Sequence, residues 1–166
     1  MSSLCSNSLW RISNHSDLGG VGGEKADGRW HTAAPGKRIV YLSEHPAVAL
    51  VETLANLKGN PALLPERFQL IRIQADDELL AGMTGLTDPK GKAFDGDTPL
   101  DATRQAGDRW LKSKASALVS VPSFPSPRSM NILLNPLHPD AAKVIVLESS
   151  WLRYDKRLFH IHAGSK

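Results

Sequence analysis

Strand-like segments outnumber helical ones in this chain, and the two kinds do not alternate. Short segments rich in β-branched and aromatic residues are separated by turns that contain Gly and Pro, which is typical of strands. They lie at 9–12, 39–42, 68–74, 117–121, 130–134 and 143–147. A doubly wound parallel sheet requires a helix after nearly every strand. The pattern therefore predicts an α+β fold, with residues 1–166 in a single compact domain containing a mixed sheet and a few helices.

Helical periodicity is confined to two segments. The first runs from about Glu44 to Leu57, and Ser43 stands in a good N-cap position before it. Apolar residues at three- and four-residue spacing predict its buried stripe, which comprises Ala47, Leu50, Val51 and Leu54. Glu52 falls roughly opposite this stripe, so we expect it to face water or a cleft. The second helix is expected to follow Asp97 or Thr98, either of which can cap it.

Charge and hydropathy limit the classes of function. The net charge is +3, and Lys and Arg are scattered among Asp and Glu. Without a run of like charges, direct nucleic-acid binding is not expected. No apolar stretch approaches the roughly 20 residues that span a bilayer, and the N-terminus lacks the pattern of a secretory signal. We expect a cytoplasmic protein that makes no membrane contact.

Metal and dinucleotide motifs are lacking in the sequence. Cys5 is the only cysteine, which leaves no internal disulfide and no thiolate cluster. His160 and His162 would share a face of an extended segment, but no acidic or cysteine cluster accompanies them at ligand spacing, so no metal is expected. The glycines at 19–23 match neither G-x-G-x-x-G nor a P-loop. Residues 17–36 are interpreted as a long loop near a site.

Three polar residues lie beside turn-forming or aromatic residues. They are Arg29 in Gly28-Arg29-Trp30, Glu52 in the first helix, and Ser123 after Pro122. Each has an ordinary structural interpretation when taken alone. The serine can bond to nearby turn backbone, the glutamate can be a solvated helix carboxylate, and the arginine can lie along the neighbouring tryptophan.

Taken in order, fragments of this chain resemble the RES-domain family, which is named for an Arg, a Glu and a Ser. The resemblance covers nearly the whole chain and is carried by Trp10-Arg11-Ile12, Gly28-Arg29-Trp30, Val40-Tyr41-Leu42-Ser43, 49–54 with Glu52, Val121-Pro122-Ser123, and 131–139. Two positions depart from the family pattern. His31 stands where the family often has Asn, and Phe124 stands where it often has a small residue. These departures bear on the acceptor specificity and the pocket shape.

The resemblance implies a toxin of a bacterial type II toxin–antitoxin system, with a fold similar to ADP-ribosyltransferase toxins. It implies NAD as a substrate, with cleavage of the nicotinamide–ribose bond by hydrolysis or phosphorolysis. ADP-ribosyl transfer to a specific cellular protein is the enzymatic alternative. A nucleotide- or DNA-binding module is the non-enzymatic one. The implied partner is a cognate helix-turn-helix antitoxin of the Xre type, and a homodimer within that complex is a further expectation.

The chemistry of the residues fits this substrate. Arginine binds phosphate oxygens through paired hydrogen bonds, which suits Arg11 and Arg29 to the diphosphate or a ribose. Cleavage builds positive charge on the ribose, and Glu52 can face that charge or act as a base. The predicted catalytic residues are Arg29, Tyr41, Glu52 and Ser123, and the predicted NAD contacts are Arg11, Arg29, Tyr41, Ser123 and Asn135.

Tyr41, Ser123 and Asn135 are assigned to positioning the ligand. The ring of Tyr41 offers a flat face for nicotinamide, although an aromatic residue on a strand can equally belong to the core. The hydroxyl of Ser123 can bond to the nicotinamide amide or to the adjacent ribose, rather than act as a nucleophile. Asn135 is expected to help orient the same ligand.

Overall fold

The computed structural model describes residues 8–58, 60–64 and 66–159. Within these ranges, six strands form one sheet, in the order β4-β5-β2-β1-β3-β6. Their bounds are β1 Ser8–Ser13, β2 Val40–Ser43, β3 Gln69–Ala75, β4 Leu118–Pro122, β5 Met130–Leu134 and β6 Val144–Trp151. The described residues also form three helices, α1 Pro46–Asn56, α2 Asp77–Ala81 and α3 Leu100–Ser113, together with four short 3-10 turns. The α+β prediction is confirmed.

The expected mixed sheet is corrected to an antiparallel one. All five pairs of neighbouring strands run antiparallel. Strands β2 and β3, which are connected through α1, point in the same direction. They are not neighbours, because β1 lies between them and pairs with both. Within the described part of the chain, the only parallel contact is the isolated bridge between Gly85 and Ser120.

Apolar clusters cover both faces of the sheet, because successive side chains of a strand point to opposite faces. On β2, Val40 and Leu42 belong to one cluster, while Tyr41 packs against the other. The second cluster includes Trp30, Phe94 and the buried side of α3. The face that carries Tyr41 is therefore the one against which Trp30 of the glycine-rich loop, residues 17–38, packs.

Helix α1 begins later and buries a different side than predicted. Its N-cap is His45, whose Nδ1 accepts a hydrogen bond from the Ala47 N–H at 3.1 Å, while Ser43 is the last residue of β2. The buried helix residues are Val48 and Ala49. The predicted stripe is exposed or half-buried at Ala47, Leu50, Val51 and Leu54. Glu52 consequently faces the sheet, because the polar groups that bind its carboxylate lie there.

Helix α3 lies directly on the glycine-rich loop. It starts at Leu100 with Pro99 at the N-cap, and no side chain caps it. The predicted caps are wrong, because the Thr98 hydroxyl bonds instead to Asp95 at 3.0 Å. A Cβ at Gly107 would collide with the Trp30 carbonyl oxygen, so glycine permits this close contact. The five-residue α2, capped by Asp76, was not predicted.

Candidate active site

The carboxylate of Glu52 is held by groups from the sheet. Its Oε1 accepts hydrogen bonds from Ser123 Oγ at 2.7 Å and from Asn131 Nδ2 at 2.5 Å. Asn131 is fixed in turn, because its Oδ1 accepts a hydrogen bond from Ser43 Oγ at 2.7 Å. Among the described residues, none donates a hydrogen bond to Oε2 of Glu52. One oxygen of this carboxylate is therefore anchored, and the other can bind a ligand.

The strand register explains why these groups meet. Asn131 of β5 is the partner of Ser43 on β2 and of Val121 on β4. Ser123 lies two residues beyond Val121, so its side chain points to the same side of the sheet. Helix α1 crosses that side and supplies Glu52. The β4–β5 pair thus places two polar groups at the carboxylate of Glu52, and Ser43 of β2 holds one of them, Asn131.

A cleft lies between α1 and the glycine-rich loop. It consists of two cavities, of about 330 Å³ and 250 Å³. Tyr41, Glu52, Asn56 and Asn131 line both of them, so these residues stand at the junction. Together the cavities fall in the size range of small-molecule sites.

The hydroxyl of Tyr41 is enclosed by the glycine-rich loop. It accepts a hydrogen bond from the Trp30 N–H at 3.1 Å and lies 2.8 Å from Nδ1 of His31. A Cβ at Gly28 would collide with this hydroxyl, so the loop backbone closes directly over it. Burial raises the pKa of Tyr41, so the phenol keeps its proton. Its ring is both a core contact and part of the cleft wall.

Arg29 lies in the wall of the smaller cavity. Its guanidinium carbon is 4.4 Å from the centre of the Phe124 ring, a cation–π contact, and Phe124 stacks on Trp30. Its backbone oxygen accepts a hydrogen bond from Thr103 Oγ1 at 2.7 Å. Within the part of the chain that the structure describes, no carboxylate forms an ion pair with this guanidinium. Its charge is therefore available to an anionic ligand.

Arg11 lies in the wall of the larger cavity. Its Nη1 donates a hydrogen bond to the backbone oxygen of Asp17 at 2.9 Å. Burial lowers the pKa of Arg11, while the nearby Asp17 carboxylate opposes that change. A guanidinium stays protonated under such conditions. A second, partly desolvated cation thus borders the cleft and favours a ligand that carries phosphates.

Helix α3 also fixes the position of the loop that carries Arg29. Arg104 Nε donates a hydrogen bond to the Gly28 oxygen at 2.9 Å. Asp108 accepts from the Thr32 N–H at 3.1 Å and pairs with Lys37 Nζ at 2.8 Å. Burial alone would raise the pKa of Asp108, but these hydrogen bonds together hold it below its ordinary value. The cleft wall is thus held by a helix rather than by the loop alone.

The structure brings four of the residues singled out from the sequence to the cleft, namely Arg11, Arg29, Tyr41 and Glu52. Ser123 is only 3% exposed and lines neither cavity, so it contacts the carboxylate of Glu52 rather than the ligand space. Asn135 lies away from the cleft. Its Nδ2 donates to the Leu111 oxygen at 3.2 Å and its Oδ1 accepts from the Leu137 N–H at 3.0 Å. Both ends of its amide are therefore occupied by backbone.

Besides Asn56, which lines both cavities, three residues of the site received no role there from the sequence. Asn131 appeared only within a family segment, Ser43 within a family segment and as a helix cap, and His31 only as a departure from the family pattern. Strand alternation could have identified Ser43, because it shares a strand face with Tyr41 two residues earlier. The partners of Asn131 are distant in sequence, and the contact of His31 with Tyr41 depends on the path of the loop. No local sequence pattern predicts either contact.

Residues 8–58, 60–64 and 66–159 contain neither a metal-binding cluster nor a membrane-spanning helix. No group of three or more His, Cys, Asp or Glu side chains there could hold a metal ion. None of the helices in these ranges has the length and apolar character needed to cross a bilayer. Cys5, His160 and His162 lie outside the described residues.

Comparisons with known proteins support a family assignment. The model of the RES domain matches residues 8–155. A Pseudomonas putida protein named Toxin Res is 34% identical over 151 residues, covering 91% of this chain and 99% of that protein. A Sphingobium protein named Prs ADP-ribosylating toxin is 34% identical over 161 residues, covering 91% of this chain and 96% of that protein.

The fold is also shared with a solved structure. A chain in the crystal structure of the M. tuberculosis MbcT–MbcA toxin–antitoxin complex superposes with a TM-score of 0.67 at 15% identity. The match covers 87% of this chain and 83% of that chain. At this identity the match shows a common fold. The family model and the two relatives, each matching most of the sequence, show that the chain belongs to the RES-domain family.

Proposed function

We propose that this protein is a toxin of a toxin–antitoxin system that consumes NAD by cleaving its nicotinamide–ribose bond. The observation that carries the proposal is the Glu52 carboxylate at the junction of two cavities. One of its oxygens is anchored by Ser123 and Asn131, and the other has no donor among the described residues. Arg11 and Arg29 lie in the walls on its two sides.

The cleft suits a long, negatively charged ligand. The diphosphate of NAD can bind to the unpaired guanidinium of Arg29 or to the remaining donors of Arg11. The reacting ribose would then lie near the junction, where Glu52 and Asn56 line both cavities. The ring of Tyr41 would pack against the nicotinamide end.

Cleavage breaks the bond between the ribose anomeric carbon and the pyridinium nitrogen. The bonding electron pair moves to that nitrogen, so nicotinamide leaves as a neutral molecule and positive charge develops on the ribose. A carboxylate in a fixed position stabilises this charge more in the transition state than in the ground state. Oε2 of Glu52 can face the anomeric carbon or bind a ribose hydroxyl. Water, phosphate or a protein side chain then accepts the ADP-ribose.

Transfer to a protein is the second candidate, and one observation favours it. The Sphingobium relative at 34% identity is named Prs ADP-ribosylating toxin. Both reactions break the same bond and use the same carboxylate, and they differ in the acceptor. Labelled NAD incubated with the protein and a cell lysate separates them, because only transfer leaves the label on a protein band.

The toxin role implies a neutralising partner. The shared fold with a chain from a toxin–antitoxin complex supports an antitoxin partner. A helix-turn-helix antitoxin of the Xre type, and a homodimer of this chain within the complex, are parts of the proposal. Co-expression with the product of the adjacent reading frame, followed by size-exclusion chromatography with light scattering, tests both.

The direct test uses purified protein and NAD, with and without inorganic phosphate. Mass spectrometry of the products distinguishes ADP-ribose, formed by hydrolysis, from ADP-ribose 1-phosphate, formed by phosphorolysis. Binding of NAD without release of nicotinamide would contradict the proposal and favour a nucleotide-binding module. Salt-sensitive binding to duplex DNA would favour the DNA-binding alternative.

A further inference from the structure

His31 is buried against the Tyr41 hydroxyl in a way that fixes where both protons lie. The Trp30 N–H can only donate, so the Tyr41 oxygen accepts that hydrogen bond at 3.1 Å. The hydroxyl proton must then go elsewhere, and Nδ1 of His31 lies 2.8 Å away. Nδ1 can take this proton only if it is unprotonated itself. A phenol that donates to Nδ1 requires a neutral imidazole with its own proton on Nε2.

The surroundings of His31 favour this neutral form. The side chain is 3% exposed, and its Nε2 is buried without a hydrogen bond of good geometry among the described residues. Burial lowers the pKa of His31, although the carbonyls of Gly23 and Ala26 and the Asp108 carboxylate oppose this. The Lys37 ammonium lowers it further.

Protonation of His31 would disturb the Tyr41 hydroxyl. An imidazolium carries a hydrogen on Nδ1, which would have to donate to the Tyr41 oxygen that already accepts from Trp30. The phenol proton would then need a new acceptor, and the Gly28 backbone closes directly over this hydroxyl. The charged groups facing Tyr41 are Asp108 and Arg104 of α3, and neither forms a hydrogen bond with the hydroxyl.

We propose that His31 is a positioning residue that holds the Tyr41 ring in the cleft wall by accepting its hydroxyl proton, and that protonation of His31 releases this ring and lowers activity. The inference rests on the proposed NAD cleavage for its catalytic consequence. Its structural part, the position of the protons, stands without any substrate. Burial lowers the pKa of His31 from its ordinary value of 6.5, so we expect the loss of activity at pH values below 6.5.

The first test compares pH profiles of NAD consumption for the wild type, His31→Asn and His31→Leu. The asparagine amide oxygen can accept the Tyr41 proton without titrating, so His31→Asn should keep at least a third of the neutral-pH kcat. In His31→Asn, the part of the fall in activity at low pH that results from protonation of His31 should also be absent. His31→Leu removes the acceptor and should lower kcat at least tenfold at every pH. His138→Asn, which changes a histidine that caps a 3-10 turn, should leave the profile unchanged.

The second test needs no substrate. Long-range ¹H–¹⁵N correlation spectra of protein labelled with ¹⁵N-histidine report which ring nitrogen of His31 carries the proton. We expect the Nε2–H form at pH 7.5 and protonation of Nδ1 over the same pH range in which activity falls. A proton on Nδ1 at pH 7.5, or an acid decline in His31→Asn identical to that of the wild type, would overturn the inference. A wild type that releases no nicotinamide would contradict the proposed function instead, and the spectra would still decide the proton positions.

Discussion

Replacing Ser123 with alanine tests whether this residue acts through Glu52 or on the substrate. The hydroxyl donates to Oε1 of Glu52 at 2.7 Å, is buried, and lines neither cavity. The change Ser123→Ala removes one oxygen and leaves the Asn131 hydrogen bond in place. We therefore expect the carboxylate to lose orientation without any loss of direct ligand contact.

The magnitude follows from the type of hydrogen bond. A hydrogen bond to a charged group contributes about 1.5–3 kcal/mol. If that free energy serves to hold the carboxylate in its reactive position, kcat falls roughly 10- to 150-fold. Because Ser123 does not face the ligand space, the KM for NAD should change less than about threefold.

The assay is steady-state release of nicotinamide over a range of NAD concentrations, with circular dichroism to confirm the fold. Ser129→Ala is the matched control. Its hydroxyl pairs with Ser126 in the same turn and does not reach Glu52. A large rise in KM with an unchanged kcat in Ser123→Ala would show that the serine contacts NAD directly, and would refute this reasoning.

Three further predictions concern the cleft wall. Gly107→Ala should lower the melting temperature by roughly 3–10 °C in a thermal scan, because its Cβ would collide with the Trp30 carbonyl, whereas Gly96→Ala, which meets nothing, should have little effect. Arg29→Lys should raise the KM for NAD at least fivefold, since lysine lacks the planar fork and the stacked contact with Phe124; an unchanged KM would remove Arg29 from the binding site. The pKa of Asp108 is lower in the folded protein than its ordinary value of 3.8. The contribution of the Asp108 carboxylate to stability is therefore complete above pH 3.8, and it is lost as the pH falls through the folded-state pKa. The urea concentration at the unfolding midpoint, measured from pH 6 to pH 2.5, should therefore fall less steeply for Asp108→Asn than for the wild type. Equal dependence on pH in the two proteins would contradict this prediction.

The strands could be predicted from the sequence because each carries its own local pattern. The segment 130–134, for example, lies between turns and matches β5, Met130–Leu134. The buried side of α1 could not be predicted from periodicity. The buried residues of the helix are Val48 and Ala49, and Glu52 faces the sheet, where Ser123 and Asn131 bind its carboxylate. The polar partners of Glu52 come from segments distant in sequence, so the local apolar pattern could not show which side of the helix faces the sheet.

The candidate site was predicted in part, and the reasons differ between residues. The order of family fragments identified Arg29 and Glu52, which both line the cleft. The same resemblance predicted that Asn135 contacts the ligand, although its side-chain amide forms hydrogen bonds with the backbone of Leu111 and Leu137. A family segment shows that a residue recurs, and only the tertiary structure shows whether it faces the ligand.

In the proposed reaction, the negative charge of Glu52 stabilises the transition state for cleavage of the nicotinamide–ribose bond. Glu52→Gln tests this most directly, because a glutamine oxygen can still accept the hydrogen bonds from Ser123 and Asn131 while the charge is removed. Glu44→Gln, at an exposed glutamate before α1, is the control. We predict that Glu52→Gln binds NAD within about fivefold of the wild-type affinity and releases nicotinamide at least 100-fold more slowly. Release of nicotinamide at the wild-type rate by folded Glu52→Gln would show that this charge is not needed for cleavage.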